Sequence, residues 1–136
     1  MTMKKKAGFT LSELLIVVAI IGVLVAISIP IFTQQIHKAE VATDWANVRS
    51  YYAQLQYDFM ETGKFKESYR HEWGHPKGGL TSFNLGGQTV KLKAGQLWIA
   101  EENNNGGYNL WYCCNMGHTD CILHLPGDST KTGEGK

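Results

Sequence analysis

Nineteen consecutive residues, Leu14 to Phe32, carry no charge. At about 1.5 Å rise per helical residue they cover roughly 28 Å, close to the hydrocarbon thickness of a bilayer. Such a run does not read as globular sequence, so a folded core has to come from the rest of the 136 residues, which is room for one domain. Glu13 stands at the entrance of this run, and Lys4, Lys5 and Lys6 precede it. A lysine excess beside a span holds that end in the cytoplasm and sends the following domain outward.

The total formal charge is +1, but without the three leading lysines ten basic residues face twelve acidic ones. A mildly acidic remainder offers little support for a nucleic-acid surface. Basic residues followed by an apolar stretch also match an ordinary secretory signal, with a small-residue cut near Ala26 to Ser28. Against that, the apolar run is long for a signal core, Glu13 interrupts its start, and the helical pattern continues past it.

The stretch "KAG" followed by "FTLSELLIVVAIIGVLVAISIP" resembles the class III signal of type IV pilins and related pseudopilins. The resemblance rests on a short lysine-bearing leader, Gly8 before Phe9, Glu13, a long aliphatic segment with Gly22, and Pro30 near its end. It implies that a prepilin peptidase cuts between Gly8 and Phe9 and that the new amine of Phe9 is methylated. Ser12 departs from the aliphatic residue more usual there; a helical serine can bond back to a carbonyl one turn earlier.

Glu13 admits two readings. Thr10 to Glu13 is an S/T-x-x-E capping box, in which the glutamate satisfies a free donor at a helix start and suits the positive helix end. The second reading is intermolecular. An ionised carboxylate among aliphatic helices costs several kcal/mol unless it finds a partner, and the resemblance implies that the partner is the terminal amine of a neighbouring subunit. Gly22 and Pro30 bracket a stretch in which the helix is open to kinking, since proline removes a donor and crowds the preceding turn. The resemblance implies partial unwinding there.

After Pro30 nothing stops a helix before Thr62 and Gly63, so a helix from Phe9 to about Glu61, roughly 80 Å long, is expected. Val41, Trp45, Val48, Tyr52, Leu55 and Phe59 recur at steps of four and three along one face. Lys38, Asp44, Arg49 and Asp58 are then expected on the exposed side. Residues 64–79 read as a loop. Strand-like runs follow at about Leu80–Leu85, Thr89–Lys93, Gln96–Ala100, Tyr108–Cys113 and Cys121–Leu125, with glycine-bearing turns between the first four. The expected fold is α+β and pilin-like: a long N-terminal helix with its apolar half protruding and its amphipathic half packed on a small antiparallel sheet. The expected divisions are a cleaved leader 1–8, a transmembrane and assembly helix 9–32, an amphipathic helix 33–62, a loop 63–79, a sheet with a cysteine-containing loop 80–125, and a flexible tail 126–136.

Three other patterns invite chemistry. "HEWGH", residues 71–75, has the H-E-x-x-H form in which two histidines a helical turn apart bind zinc beside a catalytic glutamate. Gly74 lies inside it and Pro76 biases His75 away from helical geometry, Thr81 stands where an extended motif wants a third histidine, and a surface loop is expected instead. Cys113, Cys114 and Cys121 are the only cysteines. Outside the cell, one bridge between Cys121 and either Cys113 or Cys114 is expected; with His118 the same residues form a poorly spaced set of soft metal ligands. Glu101, Glu102 and Asp128 have the oxygen ligands calcium takes in some pseudopilins, and are expected to be ordinary turn carboxylates.

The resemblance thus implies a structural subunit of a type IV pilus-like filament serving adhesion, motility or DNA uptake, and not an enzyme, with no cofactor or metal. Its partners would be identical subunits, the prepilin peptidase and the pilus assembly machinery. It would sit in the inner or cytoplasmic membrane as a single pass with the C-terminal domain outside, and in an extracellular pilus after assembly. The alternatives are a pseudopilin of a secretion or competence system, a secreted binding domain freed by an ordinary signal peptidase, and a metal enzyme using His71, Glu72 and His75.

Overall fold

The computed structural model describes residues 8–72, 78–102 and 107–127. One helix, α1 (Leu11–Thr62), passes through two compact units, Met1–Ile36 and His37–Lys136. In the first unit the aliphatic side chains point outward on every side of the helix: the successive residues Leu14, Leu15, Ile16, Val17 and Val18 are all exposed. A helix apolar all round has no solvated face to offer water. It is long and apolar enough to cross a membrane, with a mean hydropathy of 3.1 over its most apolar window.

In the second unit α1 buries Val41, Asp44, Val48, Tyr51 and Leu55, a stripe at steps of three and four. Trp45, Tyr52 and Phe59 flank it, half-buried against the core. The helix stops at Thr62, where the Gly63 N–H closes back on the Phe59 carbonyl at 2.7 Å. Asp44 is the departure from expectation. It is fully buried rather than solvated, because its ring of partners replaces water: the backbone N–H of Lys93 reaches both carboxylate oxygens at 2.8 and 3.1 Å. The Ala94 N–H donates at 2.8 Å and the Tyr112 hydroxyl at 2.7 Å.

Among the described residues five strands follow: β1 (Ser82–Leu85), β2 (Gln88–Lys91), β3 (Gly95–Glu101), β4 (Tyr108–Cys114) and β5 (Leu123–Leu125). They form two antiparallel sheets instead of one, β1-β2 and β3-β4-β5. Leu80 bridges Leu97 and His71 bridges Ile99 along the β3 edge. The chain then leaves that edge, and Phe83 stacks on Tyr51 of the helix with centroids 4.3 Å apart. Gly86 and Gly87, both at positive φ (58° and 86°), make the two-residue turn of the β1-β2 hairpin.

The strict alternation of β4, buried at every odd step, faces Tyr108, Leu110 and Tyr112 onto α1 with Leu97, Ile99 and Leu123 of the neighbouring strands. Each large side chain so buried contributes about 1.5–3 kcal/mol. Tyr108 closes one end among Phe59, Phe65 and Tyr69, with centroids 6.4, 4.8 and 6.1 Å away, and its hydroxyl accepts from the Lys66 N–H at 3.1 Å. At the other end burial, then the hydrogen bond to Asp44, pushes the Tyr112 hydroxyl well above the usual phenol range. That keeps it a donor.

Candidate assembly site

The head of α1 carries the residues on which assembly would depend. Thr10 precedes the first helical residue and pairs with Glu13 in both directions. The Thr10 N–H donates to Glu13 Oε2 at 3.2 Å, and the Glu13 N–H donates to Thr10 Oγ1 at 3.3 Å. This is the capping box expected from the spacing. It engages Oε2 of a carboxylate whose residue is exposed. Phe9 is 89% exposed, and the backbone at Gly8 has open space around it, with nothing within 4 Å of an added Cβ. The leader lysines Lys4, Lys5 and Lys6 lie outside the described residues.

Ser12 does not bond to a carbonyl one turn earlier. Its hydroxyl meets that of Thr10 at 3.2 Å, because the helix begins at Leu11 and no helical carbonyl lies a turn before it. Ser28 makes that bond instead, donating to the Leu24 carbonyl at 2.6 Å, and the Thr33 hydroxyl reaches the Pro30 carbonyl at 2.9 Å. Gly22 and Pro30 both lie within unbroken helix. Proline nevertheless has no N–H to give the Ala26 carbonyl. The two side-chain bonds flank that missing rung.

The other sequence patterns fall in the second unit. His71 lies in an extended bridge rather than a helix, and His75 is outside the described residues. Glu72 is drawn away from it: Arg70 pairs with Glu72, with Glu67 at 2.6 Å and with Glu101 at 3.2 Å. Glu101 therefore faces a cation, and the Glu102 N–H closes on the Gly107 carbonyl at 2.9 Å; Asp128 lies outside the described residues.

The structure forms no disulfide among Cys113, Cys114 and Cys121. Cys113 and Cys114 lie on opposite faces of β4, and it is Cys114 that meets Cys121. Burial raises the Cys114 thiol, but hydrogen bonds with Cys121 and from the backbone N–H groups of His118, Met116 and Gly117 outweigh it and hold the group below the ordinary thiol range. Burial and then the Cys114 contact push Cys121 up to about 11. Sequence reading missed two residues here, Asp44 and His37. Both meet partners at least 49 residues away, as with Lys93 and Cys121, and local periodicity carries no signal of that.

A family signature described as the prokaryotic N-terminal methylation motif matches residues 3–29. The chain is 36% identical over 102 residues to the type IV narrow pilus major component PilA5 of Thermus thermophilus, covering 71% of this chain and 72% of that protein. It is 30% identical over 115 residues to the fimbrial protein EcpB of Eikenella corrodens. That alignment covers 85% of this chain but spans only 62% of the relative's length. No solved structure matches the chain significantly. The similarity to PilA5 extends well beyond the N-terminal motif, through most of the folded unit, and the chain belongs to the type IV pilin family.

Proposed function

We propose that this chain is a structural subunit of a type IV pilus-like filament, made as a membrane-anchored precursor and polymerised through its N-terminal helix. The carrying observation is the helix head: a capped, exposed carboxylate four residues after Phe9, leading a segment apolar on every side. Cleavage after Gly8 gives Phe9 a cationic amine, and the Glu13 carboxylate of one subunit pairs with the amine of the next. A buried polar contact of this kind fixes register at some cost in stability.

Leaving lipid for neighbouring helices gains little from hydrophobicity alone, because acyl chains are as apolar as leucine. Packing and polar pairing therefore carry the specificity. The partners in this reading are identical subunits, the prepilin peptidase and the assembly machinery. The mature protein resides in an extracellular pilus, and its role is assembly without catalysis. A cut near Ala26 to Ser28 would fall within the helix, which favours this reading over an ordinary secretory signal.

Glu13→Gln separates cap from assembly. Glutamine serves in a capping box as glutamate does, so the variant inserts and folds normally. It lacks the charge, so filaments sheared from cells expressing it alone fall at least about tenfold. Normal piliation by Glu13→Gln contradicts the pairing.

A further inference from the structure

Four side chains converge where the loop after β4 crosses α1. One ligand atom from each of His37, Cys114, His118 and Cys121 lies within 4.8 Å of the other three. Cys121 Sγ is 3.6 Å from His37 Nε2 and 3.9 Å from His118 Nδ1. A tetrahedral zinc with bonds of about 2.3 Å to sulfur and 2.0–2.1 Å to nitrogen spaces such sulfur–nitrogen pairs by about 3.6 Å. The set therefore has the span of one metal's coordination shell.

The surroundings hold that shape. The Gly117 N–H bonds the Cys114 carbonyl at 3.1 Å with Gly117 at φ 67°, which turns the chain tightly after Cys114. The Cys121 N–H closes on the His118 carbonyl at 3.2 Å, bringing the last two ligands together. Trp45 Nε1 donates to the Cys121 carbonyl at 3.3 Å and ties this turn to the helix that carries His37. Both sulfurs are buried while His118 is exposed, giving an ion a way in.

We propose that His37, Cys114, His118 and Cys121 form a structural zinc site that fastens α1 to the loop between β4 and β5. Two sulfurs and two imidazoles in a closed set of four suit zinc in a structural role. Binding displaces the two thiol protons to solvent, and no electron is transferred. The bound ion also protects the thiols from oxidation, in place of a Cys114–Cys121 bridge. Such a site lies within the folded unit and is independent of filament assembly.

The test is zinc content and thiol state of the full-length chain purified in detergent without reductant, followed by exchange with Co2+. One zinc per chain, both sulfurs alkylated only after chelation, and a tetrahedral cobalt spectrum with a thiolate charge-transfer band are expected. His37→Ala and Cys121→Ser weaken zinc binding by more than about 100-fold, since outer-shell partners alone are worth 10–100-fold. Cys113→Ser leaves it unchanged. A metal-free chain two hydrogens lighter, carrying a Cys114–Cys121 disulfide, overturns the proposal. So does an octahedral cobalt spectrum without a thiolate band, or zinc retained equally by both ligand variants.

Discussion

Asp44 shows how far a single residue can depart from its type. Aspartate is almost never fully buried unless paired, and here it is paired by donors from the β2-β3 connection and from β4. Steps of three and four from Val41 do lead to it, so its place on the inner face was legible; its charge argued the other way. Asp44→Ala leaves the Lys93 and Ala94 N–H groups and the Tyr112 hydroxyl without their acceptor, at about 1–3 kcal/mol each. A loss of about 3 kcal/mol or more is expected in reversible thermal or denaturant unfolding of the detergent-solubilised chain. Asp44→Asn recovers only part of it, because one oxygen remains but its amide nitrogen faces another donor. A loss below about 1 kcal/mol for the alanine variant would show that the network is dispensable.

At the scale of elements, periodicity was informative and pairing was not. A helix ending at Thr62 and Gly63 and five short strands follow from spacing and turn residues. The division into two sheets does not, nor does the contact of Phe83 with Tyr51, because both join residues far apart in the chain. Gly95 belongs to the same class of contact. An added Cβ there would collide with the Cys113 carbonyl oxygen and the Tyr112 ring, the ring whose hydroxyl holds Asp44. Both obstacles are fixed, one as backbone and one by its hydrogen bond. Gly95→Ala, which in an open site would stabilise by reducing unfolded-state freedom, should here destabilise by about 1–3 kcal/mol. An unchanged or raised unfolding midpoint would mean that the sheet relaxes freely.

The whole molecule joins two kinds of sequence with different needs. From His37 onward the chain has a core of its own, in which helix and sheets satisfy each other. Before that, a run of exposed aliphatic residues has nothing among the described residues of its own unit to cover it, and in the proposed function lipid and then other copies of the chain cover it. That need was legible from the first thirty residues, because charge and hydropathy are local properties. The cluster of His37 with Cys114, His118 and Cys121 was not, because its first member lies 84 residues from its last by bond. Assembly of this kind requires the apolar helix to be kept in the working protein and not discarded with a signal. Intact-mass and N-terminal sequencing of the mature chain test this directly: a protein that begins at Phe9 with a methylated amine is predicted, and one that begins near Ser28 or Ile29 would contradict it.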